Sequence, residues 1–218
     1  MKKIISIIAA LCVITTVSAQ NYDDATIKSV RGGLTLSQIY VSGLHTQSDC
    51  GFSIELNVQQ TLSDTYPIYL GTGIGLNLKK FGELLLLSDL SGDSDDSYYK
   101  PRYMFLCIPL MVNYKFFTND DFVVYPSVGF ALQVGLSEKY GDVVYHNEEY
   151  KTIIESNNIF DGSFDLIDVP LRLGITAEFK QKYIINYTHE SGMVFNDTSS
   201  DNINGFIKSN YITLGIRF

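Results

Sequence analysis

The sequence predicts an all-β protein, an eight-stranded antiparallel transmembrane β-barrel of up-and-down topology. Apolar and polar residues alternate with a period of two over stretches of roughly ten or more residues. The connections between these stretches are alternately short and long. After the amino terminus, no stretch approaches the about 18 consecutive apolar residues that a membrane-crossing helix needs.

Composition fits this class. The 218 residues are 45% apolar and 18% charged, with 15 Tyr, 13 Phe and no Trp. The charged fraction is below the roughly 25% of an average soluble domain. The aromatic residues suit the interfacial girdles of a membrane barrel.

Residues 1–19 read as a secretory signal and residues 20–218 as one barrel domain. Lys2 and Lys3 form a positive start, Ile4 to Ile14 an apolar core, and Val17-Ser18-Ala19 a small-residue cleavage site. The apolar core is too short for a membrane anchor. Leu11 before Cys12 is not the small residue that a lipid-modified cysteine requires. Loss of Lys2 and Lys3 moves the net charge from −8 to −10, which disfavours nucleic acid as a partner. Cys50 and Cys107 fall in strands that are not neighbours and are expected to be free thiols. No CxxC or Cys/His cluster points to a metal, and nothing calls for a cofactor.

After a polar lead-in at Asn21 to Ser29, the first strand runs from Val30 to Val41, with Leu34, Leu36 and Tyr40 opposite Arg31, Thr35 and Ser37. The second, Cys50 to Leu62, sets Phe52, Ile54, Leu56 and Val58 against Ser53, Glu55, Asn57 and Gln59. The third, Ile68 to Lys80, carries Gly71, Gly73 and Gly75 on its polar face, which marks a crowded or curved inner wall. No helical pattern follows these glycines, so a nucleotide-binding loop is set aside. Gly82 to Lys100 is a long acidic connection. Its Leu84 to Leu87 either extends a strand or packs across the barrel mouth.

The fourth strand, Tyr103 to Phe117, sets Ile108, Leu110, Val112, Tyr114 and Phe116 against Pro109, Met111, Asn113 and Lys115. The fifth, Phe122 to Leu136, places Val124, Val128, Phe130, Leu132, Val134 and Leu136 together. Ser137 to Ser163 is expected to be the longest loop. The sixth strand, Phe164 to Phe179, sets Ile167, Val169, Leu171, Leu173, Ile175, Ala177 and Phe179 against Asp168, Arg172, Gly174, Thr176 and Glu178. The seventh covers Tyr183 to Ser191, a loop Gly192 to Gly205, and the eighth Phe206 to Phe218. In the last strand Ile212, Leu214, Ile216 and Phe218 alternate with Tyr211, Thr213, Gly215 and Arg217. This strand is expected to close the sheet on the first. Its Tyr211, Leu214 and Phe218 form the expected signal for the barrel-assembly machinery.

Strand length and face chemistry distinguish a membrane barrel from a soluble sandwich, whose strands are commonly about 5–6 residues long. The apolar faces are then lipid-facing, and the charges Arg31, Glu55, Lys79, Lys115, Arg172, Glu178, Glu190 and Arg217 face inward. Eight strands give an interior that side chains just fill, so these mixed signs imply a packed network of ion pairs and no open pore. The location implied is the outer membrane, with short turns periplasmic and long loops extracellular, among lipid and lipopolysaccharide.

Four segments resemble the small outer-membrane barrel family that includes the PorT-like proteins. They are Cys107 to Phe117 (CIPLMVNYKFF), Val123 to Gly129 (VVYPSVG), Phe164 to Phe179, and Gly192 to Asn196 (GMVFN). The resemblance implies an outer-membrane barrel and no single activity, since a few such proteins assist secretion or surface assembly. An accessory role with an envelope protein partner is therefore the leading expectation. A narrow porin for a small solute is the first alternative.

A lipid A-modifying enzyme is the second. His189 and Ser191, two residues apart on one lipid-facing side, are weak candidates for catalysis. Such a pair needs a carboxylate to orient the histidine, and a polar strand end at the membrane surface is the preferred reading. The chain is therefore not expected to be an enzyme. His45, His146, Asp93 to Asp96 and Glu148-Glu149 read as solvated loop residues, without the spacing of a calcium loop. The sequons at Asn186 and Asn196 receive no function.

Overall fold

The computed structural model describes residues 26–41, 44–45, 47–63, 65–82, 84–85, 97–99, 101–119, 121–146, 149–158, 167–194 and 205–218. The signal segment, the cleavage site and the acidic run Asp93 to Asp96 lie outside them. Among the described residues, eight long strands form the barrel: β1 (Thr26–Val41), β2 (Asp49–Thr61), β3 (Ile68–Lys80), β4 (Arg102–Tyr114), β5 (Phe122–His146), β6 (Leu171–Phe179), β7 (Tyr183–Val194) and β8 (Gly205–Arg217). Each pairs antiparallel with the next, from β1–β2 (Arg31↔Glu55) through β5–β6 (Arg172↔Gly129) to β7–β8 (Glu190↔Ser209). β8 returns to β1, from Ser29↔Arg217 to Val41↔Gly205. The sheet is closed, so every barrel strand has both edges paired.

Burial is inverted relative to a soluble protein. Phe52, Ile54, Leu56, Leu110, Phe130, Leu173, Ile212 and Leu214 face outward and are exposed, Leu214 to 64%. Thr35, Ser37, Ser53, Asn77, Lys79, Gln133, Arg172, Glu178 and Glu190 face inward and are buried. An apolar belt of this extent is not left against water. It belongs against lipid, where only a closed ladder satisfies every backbone group. The protein is an outer-membrane β-barrel, with its short turns at the periplasmic end. Among the described residues no helix is long and apolar enough to cross a membrane, and the crossing is made by strands.

Several elements differ from the sequence reading, each for a local reason. Thr26–Ser29, expected in the lead-in, belong to β1 and pair with Gln60–Asn57. Ile27 and Ser29 point inward and are buried while Lys28 is exposed. The period of two persists there, but polar residues at the membrane edge obscure it. Residues 137–163 are not one loop: β5 continues to His146 and forms a hairpin with a strand at Glu149–Asn158. Pairing continues there although the sequence carries no regular apolar alternation to announce it.

That hairpin extends into a small outer sheet. Ser97–Tyr99 pairs with Val144–Asp142, and Leu84–Leu85 pairs with Tyr99–Tyr98. Leu84 and Leu85 are therefore strand residues. Gly192, Met193 and Val194, expected in a loop, lie in β7 and pair with Ile207, Phe206 and Gly205.

The sixth strand is interrupted after the short pair Ile167–Asp168. Pro170 cannot donate to the ladder, although its carbonyl accepts from Ala131 N–H at 3.1 Å. Beyond β4, Lys115 steps out of the ladder, with its N–H donating to Pro67 O at 2.9 Å, and the chain resumes as Phe116–Asn119. Val134 was expected on the lipid face but is only 4% exposed. A register shift between Met104 and Phe105 lies opposite that part of β5, and Ile167 pairs across from Val134. The β6–β7 connection is the three-residue turn 180–182, with φ of 50° at Lys180 and 51° at Gln181, closed by Lys182 N–H to Phe179 O at 3.1 Å.

Candidate functional site

The lumen holds a buried ionic plug to which every strand but β1 contributes. Glu190, from β7, is at its centre. Lys79 Nζ of β3 donates to Glu190 Oε1 at 2.5 Å and to Gln133 Oε1 of β5 at 2.8 Å. Gln133 Nε2 donates to Glu190 Oε2 at 2.8 Å, and Arg172 Nε of β6 donates to the same oxygen at 2.8 Å. Tyr211 of β8 donates its hydroxyl proton to Glu190 Oε1 at 3.0 Å. Arg172 also reaches Glu55 Oε1 of β2 at 3.0 Å and Cys107 Sγ of β4 at 3.0 Å.

The charge balances, with Lys79 and Arg172 against Glu55 and Glu190. Lys79, Arg172 and Glu190 are shielded from water, and hydrogen bonds offset the cost of burying their charges. Space for the plug comes from β3. A Cβ on Gly73 would collide with the backbone carbonyl of Leu56, and one on Gly75 would press on Glu55 Cγ. The bare wall of β3 lets long side chains from the opposite strands cross the lumen.

Other layers lie on either side. On the periplasmic side, Arg217 Nη1 meets Glu178 Oε1 at 2.8 Å. There Lys115 Nζ lies 4.0 Å from the Tyr69 ring centre and 5.8 Å from that of Tyr125. A cavity of about 30 Å³ is lined by Arg31, Glu55, Asn57, Asn113, Asn186 and Arg172, among others. It has room for only one or two waters. Arg31 is opposite Glu55 in register, and its buried Nε has no hydrogen-bond partner among the described residues. On the extracellular side, Ile39, Phe81 and Ile207 form an apolar cap with Tyr103. Phe105 lies beneath it, 4.9 Å from Lys79 Nζ.

Of the expected inward charges, Glu55, Lys79, Arg172 and Glu190 meet in the plug, and Glu178 pairs with Arg217. Lys115 packs on aromatic rings and Arg31 lines the cavity. Gln133, Tyr211 and Cys107 are plug members that a search for charges passes over. Their signal was the same inward parity as the charges, read without regard to charge. The expected assembly trio divides between faces: Leu214 and Phe218 are outside, whereas Tyr211 is inside and bonded to Glu190.

His189 and Ser191 share the outer face and are half-buried. His189 Nδ1 lies 3.0 Å from Asn210 Oδ1, an oxygen that also accepts from Tyr187 OH at 2.8 Å. An amide and not a carboxylate orients this histidine, while Glu190 between the pair points into the lumen. Cys50 is exposed and Cys107 buried, on opposite sides of the wall. Among the described residues no group of three or more His, Cys, Asp or Glu is placed to hold a metal ion.

Solved structures with some likeness include a major outer membrane protein from Thermus thermophilus, 14% identical with a TM-score of 0.47, covering 89% of this chain and 100% of that one. Neisserial surface protein A is 14% identical with a TM-score of 0.43, over 87% and 95% of the two chains. Ail, the attachment invasion locus protein of Yersinia pestis, is 12% identical with a TM-score of 0.42, over 89% and 99%. At such scores the barrel rests on its own strand pairing and not on these likenesses. A search of curated proteins finds no match. One family model spans residues 12–218, so the chain belongs to the family described as a domain of unknown function, DUF2715.

Proposed function

We propose that this protein is a non-conducting accessory barrel of the outer membrane, which holds an extracellular sheet in place for an envelope protein partner. The observation that carries the reading is the plug. A hydrogen-bonded ionic cluster contributed by seven strands crosses the lumen, and an apolar cap lies over it. A path for solute would have to break several buried ion pairs at once, each a costly step. The resemblance to PorT-like proteins supports an accessory role.

The outer sheet supports a partner. Among the described residues, the far edge of Glu149–Asn158 has no paired strand, and an open edge of this kind can accept a further strand. In this reading, assembly machinery engages the outward Leu214 of β8 and Phe218 just beyond it, with Tyr211 inside closing the plug. Lipid and lipopolysaccharide surround the belt.

Two measurements test the proposal. Reconstituted into planar bilayers, the protein is expected to give no steady conductance. Photo-crosslinkers placed in 149–158 are expected to capture one defined envelope protein in intact cells, and those in 180–182 to capture none. Porin-like steady conductance would overturn the closed lumen, and failure to capture any defined protein from 149–158 would overturn the partner.

A further inference from the structure

The lipid-facing wall where β7, β8 and β1 meet can be read as rows, because the three strands are in register. From the periplasmic end the outward rows are Tyr183-Ile216-Val30, Ile185-Leu214-Gly32 and Tyr187-Ile212-Leu34. Two rows then change character, His189-Asn210-Leu36 and Ser191-Lys208-Gln38. The next, where Phe206 pairs with Tyr40, is aromatic again. The polar rows are thus a notch in an apolar belt, bounded above as well as below.

Eight residues separate Ile216 from Lys208 along β8. At the usual rise and tilt this is about 20 Å of height, close to the full depth of an apolar band. The notch therefore lies at the level of the outer-leaflet headgroups.

Its chemistry is that of donors. Lys208 is exposed, its Nζ lies 4.5 Å from the Tyr40 ring centre, and it has no carboxylate partner among the described residues. Gln38 Oε1 is taken by Tyr40 OH at 2.9 Å, which leaves the amide nitrogen to donate. Asn210 Oδ1 is taken twice, by Tyr187 and His189, which fixes that amide with its nitrogen available as well. Ser191 adds a hydroxyl beside Lys208. Glu190, between His189 and Ser191 in sequence, is on the other side of the wall.

One cation and several oriented neutral donors, with no acid among them, suit an anion bearing several acceptor oxygens. Its place between apolar rows suits an anion attached to acyl chains. We propose that Gln38, Ser191, Lys208 and Asn210, the last held in orientation by His189, form a site for the phosphate headgroup of an anionic lipid in the outer leaflet. The inference rests on the membrane-spanning reading and is independent of the closed lumen and the protein partner.

The test uses the whole mature chain in nanodiscs of phosphatidylcholine containing a minor fraction of phosphatidylglycerol, with native mass spectrometry of the released protein. Phosphatidylglycerol is expected to remain bound in preference to phosphatidylcholine. One charge contact near a membrane surface corresponds to roughly a fivefold change in binding, so Lys208→Gln should weaken retention about fivefold and Lys208→Arg should keep it. Lys180→Gln, in the periplasmic turn, should change nothing, and excess inorganic phosphate should not displace the lipid. Equal retention by Lys208→Gln, an equal loss with Lys180→Gln, or displacement by inorganic phosphate would each overturn the site, leaving Lys208 an ordinary interfacial lysine. A protein that inserts and shifts on heating yet holds no lipid defeats this inference alone. One that never inserts defeats the membrane reading beneath it.

Discussion

Glu190 is the residue on which the interior depends. Its two oxygens accept from Lys79, Arg172, Gln133 and Tyr211, and of these donors only Arg172 reaches a second carboxylate, that of Glu55. Glu190→Gln keeps the shape but offers an N–H where only donors face it, and removes the carboxylate that Lys79 pairs with. Breaking one side of such a pair costs about 3–5 kcal/mol. Urea unfolding of the variant in lipid vesicles is expected to show a loss of that size, and a loss below about 1 kcal/mol would mean that the plug rearranges around the amide. The charged members of the plug were legible from parity, because a period of two assigns every inward residue once the lipid face is known. Their partners were not. Which inward residue meets which depends on the stagger of the closed sheet, and Lys79 and Glu190 are 111 positions apart.

At the scale of elements, the β6–β7 turn is under strain. Lys180 and Gln181 both adopt the left-handed region, which the two central residues of this turn require and which Asn-Gly fills best. Lys180→Asn with Gln181→Gly is expected to raise stability by about 1 kcal/mol or more, measured as a shift in the unfolding midpoint. No gain would mean that the turn relaxes off the hairpin geometry in solution. Strand interiors were the most legible elements, and Ile68–Lys80 matches the sequence reading at both ends. Ends outside the bilayer were the least, since Thr26–Ser29, Gly192–Val194 and the 137–158 hairpin have no lipid to impose an apolar face. Pro170 and Lys115 broke strands that alternation alone runs through.

For the whole molecule, the outer belt takes the part that an apolar core plays in a soluble protein. Ile212 lies midway between the periplasmic rows and the polar notch, and is exposed. Ile212→Lys places a charge in mid-bilayer at a cost of about 2–4 kcal/mol, to be read from unfolding in vesicles. The same change on a water-facing strand would be nearly silent, so an unchanged stability would contradict the lipid-facing assignment of the β8 outer face.

β5 carries a consequence of a different kind. It runs without a break from the periplasmic turn to His146, and its outer half is the spine of the extracellular sheet. What occupies the place of a loop is thus a stiff extension of the wall itself. A pull on that extension is taken along the strand axis and shared over the rungs joining β5 to β4 and β6, all loaded in shear at once, instead of being lost in slack chain. Tension applied to the extracellular sheet would therefore pass directly into the membrane-spanning wall.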